Sequence, residues 1–180
     1  RAFEAVMAAL QRTLMALLRI CGTRVEVERS AAIESGRGYA IISNHQSMFD
    51  PVFIGGLLFT NYPKYVAKRE LRRWIPSISL NLRWGGNAII NRRDRAQAVE
   101  AITTMARTAQ DRDVSVVIFP EGSRSRDGRL KQFKQAGSEA LLSAAHRLAV
   151  VPAAIDGSWK LLRDRLFPIP FGTRIRIRFG

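Results

Sequence analysis

The fold is decided by the stretch YAIISNHQSMFDPVFIGGLLF, residues 39–59, which contains a strand, a polar loop and a helix in succession. Tyr39–Ser43 is a short apolar run that follows two glycines, as is typical of a buried strand. A helix is predicted from Pro51 to Phe59, because proline suits the first helical turn. The polar residues between them therefore lie at a strand end, where functional loops are common.

The same alternation of strands and helices continues through the chain. Strands are predicted at Lys64–Ala67, Ala88–Ile90, Val114–Phe119 and Ala149–Val151 leading into Pro152, and helices at Asp94–Gln110 and Gln135–Leu148. Thr173–Phe179 alternates apolar residues with three arginines, which indicates a half-buried strand with a basic outer face. The fold class predicted is α/β, with helices flanking the sheet.

The first 20 residues predict an amphipathic N-terminal helix. Its apolar residues recur at helical spacing, at Phe3, Val6, Met7, Leu10, Leu14, Leu17 and Leu18. The most apolar part, Ala5–Ile20, is interrupted by Gln11, Arg12 and Arg19 and falls short of the roughly 20 residues needed to span a bilayer. Two interpretations stay open: a helix packed on its own domain, or one lying at a membrane surface.

Composition limits the classes of function. The chain has 180 residues, a length typical of one domain, and a net charge of +14, which attracts phosphates on nucleic acid, lipid or substrate. One cysteine, Cys21, and two histidines, His45 and His146, exclude an internal disulfide and a multi-histidine metal site. We expect no metal and no cofactor. Nucleic acid is not expected as a partner, since aromatic residues are not interleaved with the basic runs.

His45 and Asp50 form the first candidate site. A histidine can take a proton from a hydroxyl near neutral pH, and a carboxylate on its other ring nitrogen fixes its tautomer. On a regular helix the two would lie about 140° apart, so the pair must meet through a turn. The alternative is that Asp50 or Ser47 caps the following helix and His45 is a packed loop residue.

Two further stretches are candidates for anion binding. Phe119–Ser125 follows a core strand, and its Gly122, Ser123, Arg124 and Ser125 offer donors suited to phosphate, although Pro-Glu-Gly-Ser also describes a simple turn. Gly85–Arg92 contains the short predicted strand Ala88–Ile90 and places Arg92 just after it. The alternative is that Arg92 is a surface residue.

Together these residues resemble the glycerolipid acyltransferase family, that of the 1-acylglycerol-3-phosphate (lysophosphatidic acid) acyltransferases. The resemblance rests on four blocks in family order, His45 with Asp50, Gly86–Arg92, Phe119–Ser125 and Val151–Ile155, with Ser123 standing where the family usually has threonine. The resemblance runs from about Ile20 to Ile155 and implies a mixed, largely parallel sheet. Together with the chain length it predicts one acyltransferase domain over residues 1–180. It also implies transfer of an acyl chain from acyl-CoA or acyl-carrier protein to a lysophospholipid.

The resemblance assigns roles to named residues. His45 is expected to be the general base, with Asp50 orienting it, and Arg92, Glu121, Gly122, Ser123, Arg124 and Ser125 to hold the acceptor. Because a carboxylate repels phosphate, Glu121 is expected to organise Arg124 or another donor. Direct transfer is favoured over an acyl-enzyme, since no Gly-x-Ser-x-Gly elbow is present. Ser47 is the alternative nucleophile.

The expected location is the cytoplasmic face of a membrane, peripheral or anchored by a segment absent from this chain, which begins at Arg1. An anionic membrane surface is an expected partner, because clustered Lys and Arg bind one. Trp74, Trp84, Leu71 and Ile75 are candidates for a patch that dips into the interface, or for core packing. The alternatives for function are the same chemistry on a lyso-ornithine lipid, lysophosphatidylglycerol or glycosylated lipid, and a non-catalytic anionic-lipid-binding protein.

Overall fold

The computed structural model describes residues 2–72, 81–91, 93–162 and 169–180. The α-helices and strands with both ends in these ranges follow one another as α1 Ala2–Ile20, β1 Arg24–Arg29, β2 Tyr39–Ser43, α2 Asp50–Leu57, β3 Lys64–Lys68, β4 Ala88–Ile90, α3 Arg95–Asp111, β5 Val116–Ile118, α4 Gln135–Ala144, β6 Ala149–Asp156 and β7 Arg174–Phe179. The α/β alternation predicted from the sequence is confirmed.

The seven strands form one sheet in the order β1-β7-β6-β2-β5-β3-β4. All neighbours are parallel except β6 and β7, so the sheet is mixed and largely parallel, as predicted. Strands β2 to β6 therefore end at one edge of the sheet, at which β7 and its parallel partner β1 begin. We call this edge the carboxyl edge. Loops from all seven strands converge on it.

The two faces of the sheet are covered by different helix pairs. Ile41 of β2 belongs to a buried cluster with Met15 of α1 and Phe53 of α2. Its neighbour Ala40 points to the other face, where the cluster includes Leu141 of α4 and residues of α3. This alternation of successive side chains follows from the two-residue period of a strand. The central strand β2 is thus buried on both sides.

The amphipathic N-terminal helix is confirmed, and α1 buries Ala8, Met15 and Leu18. The face of α1 that carries these three residues packs on the domain itself. Within the described ranges, no helix is long and apolar enough to cross a membrane. The outer face of α1 also carries apolar side chains that are exposed, among them Val6 and Ile20.

Strand β1 was not predicted from the sequence. Among the described strands it lies at the edge of the sheet and pairs with β7, in a register that sets Glu26 opposite Arg176 and Glu28 opposite Arg178. Both pairs form salt bridges. The predicted basic face of β7 is confirmed by its exposed arginines, and two of them are partly neutralised by β1.

Several predicted boundaries were wrong by a few residues. Helix α2 ends at Leu57 instead of Phe59, β5 is shorter than predicted, and β6 continues through Pro152 to Asp156. Helix α4 ends at Ala144 instead of Leu148. The cause in α4 is tertiary, because the backbone N–H of Arg147 donates to Gln110 Oε1 of α3 at 2.7 Å instead of continuing the helix.

Candidate active site

The predicted His45 and Phe119–Ser125 stretches follow neighbouring parallel strands, β2 and β5. Because both strands end at the carboxyl edge, their loops lie side by side there. Two hydrogen bonds join them directly: Ser125 N–H donates to the carbonyl of His45 at 2.7 Å, and His45 N–H donates to the side-chain Glu121 Oε1 at 2.7 Å. Folding thus brings together two stretches about 75 residues apart, a separation that strand pairing spans.

His45 and Asp50 meet as the turn argument predicted. The distance from His45 Nδ1 to Asp50 Oδ2 is 2.8 Å. Because an ionised carboxylate only accepts hydrogen bonds, Nδ1 carries the hydrogen of the neutral ring and Nε2 keeps its lone pair. The ring stacks on Phe119, with centroids 4.2 Å apart, and the side chain is 16 % exposed. Nε2 is therefore the nitrogen available to a substrate.

The Asp50 carboxylate is fully buried and holds the turn together. Besides His45, its Oδ2 accepts from the backbone N–H groups of Gln46 at 2.6 Å and Ser47 at 2.7 Å. Its Oδ1 accepts from the Ser158 hydroxyl at 2.6 Å. Four donors therefore satisfy one buried carboxylate, as a buried charge requires.

The alternative that Asp50 or Ser47 caps α2 is wrong. The N-cap residue is Phe49, and no side chain caps the helix. Asp50 is the first helical residue, but its carboxylate is directed back to the loop of residues 45–47. The Ser47 hydroxyl accepts from Phe49 N–H at 3.3 Å and makes a local turn only.

Glu121 is buried and spans two backbone groups. In addition to His45 N–H, its carboxylate accepts from the backbone N–H of Lys131 at 3.0 Å, through Oε2. The donors that Glu121 organises are thus main-chain groups on either side of the loop, and not the Arg124 guanidinium. Glu121 holds the backbone that carries His45.

The remaining residues of this loop differ in exposure. Gly122 adopts a φ of +64°, which favours glycine, and Arg124 is exposed. The Lys131 ammonium donates to Ser123 Oγ at 3.2 Å and to the Arg124 carbonyl at 2.6 Å. Exposed cations therefore lie on the loop that contacts the His45 backbone.

Ser125 is buried, in contrast to Arg124. Its hydroxyl donates to Asp127 Oδ1 at 2.9 Å. The backbone N–H of Arg129, together with this hydroxyl, lowers the pKa of Asp127. Ser125 and Asp127 fix the shape of the loop.

Similarity to known proteins identifies the family of this chain. Residues 24–156 match the sequence profile of the family described as Acyltransferase. The chain belongs to the acyltransferase family. The matched residues include His45, Asp50 and Glu121, the three side chains that organise the carboxyl edge.

Individual relatives agree with the family. The chain is 30 % identical over 150 residues to 1-acyl-sn-glycerol-3-phosphate acyltransferase alpha of Ovis aries, covering 83 % of this chain and 51 % of that protein. It is 31 % identical over 161 residues to 1-acyl-sn-glycerol-3-phosphate acyltransferase of Cocos nucifera, covering 88 % and 50 %. The acyltransferase chain thus spans about half the length of these curated relatives.

A solved structure has the same fold. The crystal structure of the 1-acyl-sn-glycerophosphate (LPA) acyltransferase PlsC from Thermotoga maritima is similar with a TM-score of 0.69 at 24 % sequence identity. The similarity covers 97 % of this chain and 67 % of that one. The predicted fold is confirmed over nearly the whole chain.

Three of the four predicted blocks meet in this chain. Asn44, which directly precedes His45 of the first block, forms two hydrogen bonds with Ile155 of the fourth. Asn44 Nδ2 donates to the Ile155 carbonyl at 2.8 Å, and the Ile155 backbone N–H donates to Asn44 Oδ1 at 2.7 Å. The third block contacts His45 through Glu121 and Ser125. Arg92, which ends the second block, lies outside the described residues.

Ser158 was missed by sequence reasoning. It begins a short 3₁₀ helix, Ser158–Leu162, directly after β6, whose carboxyl end lies beside that of β2. The available signal was the Gly157-Ser158 pair just after the proline-centred block, at a strand end where functional side chains are common. Among the described residues, no group of three or more His, Cys, Asp or Glu side chains is placed to hold a metal ion.

Proposed function

We propose that this acyltransferase transfers an acyl chain from acyl-CoA or acyl-carrier protein to the free hydroxyl of a lysophospholipid. The preferred acceptor is 1-acylglycerol-3-phosphate, which would give phosphatidic acid. The observation that carries the proposal is the 2.8 Å contact between His45 Nδ1 and Asp50 Oδ2, which leaves Nε2 as a base at the carboxyl edge. The proposal treats residues 1–180 as one acyltransferase domain.

His45 acts as general base in the proposed reaction. Nε2 takes the proton of the acceptor hydroxyl as its oxygen attacks the thioester carbonyl. The tetrahedral intermediate then expels the thiolate, which takes the proton back from the imidazolium, so that a thioester and an alcohol become an ester and a thiol. Base catalysis of this kind typically contributes about 10²–10⁴-fold. No cofactor is required, because the thioester donor arrives already activated.

Asp50 is proposed to orient the ring and stabilise the imidazolium. Its burial and its four hydrogen bonds support this role. Because Gln46, Ser47 and Ser158 hold the carboxylate in one position, rotation of the imidazole would break its hydrogen bond to Asp50. Such positioning lowers the entropic cost of reaching the reactive geometry. Glu121 supports the same geometry from the backbone side.

The acceptor's phosphate is proposed to lie against Gly122, Ser123 and Arg124. The exposed guanidinium of Arg124 and the ammonium of Lys131 beside Ser123 supply positive charge at that position. Arg92 is proposed as a further phosphate ligand because Gly86–Arg92 resembles the second block of the family. The net charge of +14 supports peripheral attachment to an anionic membrane, for which we propose the cytoplasmic face.

The experiment is a transfer assay with purified protein. Labelled acyl-CoA and acyl-carrier protein are each incubated with 1-acylglycerol-3-phosphate, lysophosphatidylglycerol and a lyso-ornithine lipid, and both free thiol and lipid product are measured. We expect product with 1-acylglycerol-3-phosphate. His45→Ala should abolish it while leaving the fold intact.

The chain offers a matched control, because its other histidine, His146, is exposed and far from the pair in sequence. His146→Ala should retain full activity. Near-normal turnover by His45→Ala would contradict the proposed base, and absence of product with every acceptor would contradict the proposed reaction.

A further inference from the structure

We propose that the β5–α4 loop, residues 119–134, docks the protein on an anionic bilayer by inserting Leu130 and Phe133 among the lipid headgroups. The proposal names the membrane-contacting surface of the site described above. It rests on the proposed function only for the idea that the acceptor is a lipid.

The loop exposes two large apolar side chains. Leu130 is 66 % exposed and Phe133 is 51 % exposed, and only two residues separate them. A single exposed apolar residue needs no explanation, but paired ones beside a site mark a contact surface.

The charges around these side chains determine the kind of partner. The loop contains five cations, Arg124, Arg126, Arg129, Lys131 and Lys134, and two carboxylates. Of the carboxylates, Glu121 is buried, and Asp127 accepts hydrogen bonds from the Ser125 hydroxyl and the Arg129 backbone N–H. The segment Arg129-Leu130-Lys131-Gln132-Phe133-Lys134 therefore mixes apolar and basic side chains, the composition that binds anionic lipid headgroups with an apolar layer beneath.

The backbone of the loop is held from the inside, which keeps its apolar side chains outward. Lys131 N–H donates to Glu121, and Lys134 N–H donates to the Pro120 carbonyl at 2.8 Å. Gly128 packs so closely on the Trp159 ring that a Cβ there would lie 2.5 Å from Nε1. The surface is thus preorganised, and docking requires little ordering of the chain.

The position of the loop links docking to catalysis. Its anchor Glu121 also binds the backbone of His45, so Leu130 and Phe133 lie at the carboxyl edge with the proposed base. A bilayer contacted by this loop would present its lipids directly to His45.

The patch predicted from Trp74, Trp84, Leu71 and Ile75 does not provide a second membrane-contacting surface among the described residues. Trp74 and Ile75 lie outside the described residues. Leu71 follows β3 at the carboxyl edge, whereas Trp84 precedes β4 and lies toward the opposite edge, so these two do not share one surface. Trp84 is 72 % exposed and is therefore a matched control for an exposed apolar side chain.

The test is co-sedimentation with vesicles of phosphatidylcholine alone and of an equimolar mixture with phosphatidylglycerol. The double variant Leu130→Ser with Phe133→Ser should bind the mixed vesicles about tenfold more weakly than the wild type, because two apolar side chains no longer insert. Arg129→Gln with Lys134→Gln should lose most of the preference for anionic vesicles. Trp84→Ser should bind as the wild type does, and all variants should share its unfolding temperature.

Equal binding by the double serine variant, or an equal loss in Trp84→Ser, would overturn the proposal. The proposal would also be overturned if the double serine variant lost binding to acyl-carrier protein while still binding vesicles, since the loop would then be a protein-docking site. His45→Ala should bind vesicles normally. Vesicle binding is therefore measured independently of acyl transfer, and a failure of the proposed reaction leaves this result interpretable.

Discussion

The Ser158 hydroxyl donates a 2.6 Å hydrogen bond to Asp50 Oδ1, the carboxylate oxygen that His45 does not contact. Ser158 is fully buried, and 108 residues separate it from Asp50. The Asp50 carboxylate is thereby held at both oxygen atoms, by the 45–47 loop on one side and by the segment after β6 on the other. This contact sets the plane of the carboxylate and with it the orientation of the His45 ring.

We predict that Ser158→Ala lowers kcat about tenfold, equivalent to ~1.4 kcal/mol of lost positioning, with little change in KM. Removing the hydroxyl leaves Oδ1 of a buried charge unpaired, so the free energy of unfolding should fall by about 1–3 kcal/mol. Steady-state kinetics and urea unfolding measure the two effects.

Ser138 of α4 is the matched control, because within the described part of the chain its buried hydroxyl has no hydrogen-bond partner. Ser138→Ala should therefore leave kcat unchanged and should not lower the free energy of unfolding, because it removes a buried hydroxyl that makes no hydrogen bond. If Ser158→Ala loses stability but keeps its kcat, Ser158 has only a structural role.

We predict that Glu121→Gln lowers kcat and leaves the acceptor KM unchanged. Glutamine has one acceptor oxygen, so its NH₂ group would face the backbone N–H of either His45 or Lys131. The free energy of unfolding should decrease by about 1–3 kcal/mol. Glu139→Gln, an exposed change on α4, is the control and should be neutral. A raised acceptor KM at constant kcat would instead support the direct substrate contact predicted from the family resemblance.

We predict that Arg124→Ala raises the KM for a phosphorylated acceptor with a smaller effect on kcat. A hydrogen bond to a charged group is worth about 1.5–3 kcal/mol, which corresponds to a roughly 10- to 100-fold change. The neighbouring Arg126 is also exposed and carries the same charge, so Arg126→Ala controls for the general field. Equal effects of the two substitutions would argue for a diffuse field in place of a specific contact.

We predict a pH-dependent contribution from Asp127, whose pKa is lowered by the Arg129 backbone N–H and the Ser125 hydroxyl. A carboxyl group with a lowered folded-state pKa stabilises the fold above its unfolded value of 3.8 and loses that contribution as the pH falls through the folded value. The difference in unfolding free energy between wild type and Asp127→Ala should thus be constant above pH 3.8 and shrink below it.

Asp127→Asn separates charge from hydrogen bonding, because asparagine keeps an acceptor oxygen that does not titrate. Its stability relative to Asp127→Ala should not follow the same pH profile. Urea unfolding at neutral and acidic pH tests both variants, and a difference that grows on acidification would contradict the sign of this effect.

The order of elements could be predicted from the sequence because its signals are local. Apolar runs such as Tyr39–Ser43 and the alternation in β7 have the period of a strand, and the stripe along α3 has that of a helix. Strand β1 was missed because it is a mostly exposed, charged edge strand. Its register partners, such as Arg176 for Glu26, are supplied by the other end of the chain.

The sequence by itself determined the family, the α/β order and the His45–Asp50 pair, since these depend on residue types at fixed short spacing. Only the tertiary structure decided what surrounds that pair. Ser158 reaches Asp50, and Glu121 reaches the His45 backbone, because β6, β2 and β5 are parallel neighbours that end at one edge. Strand pairing is a long-range choice, so contacts across 76 or 108 residues leave no periodic signal in the chain.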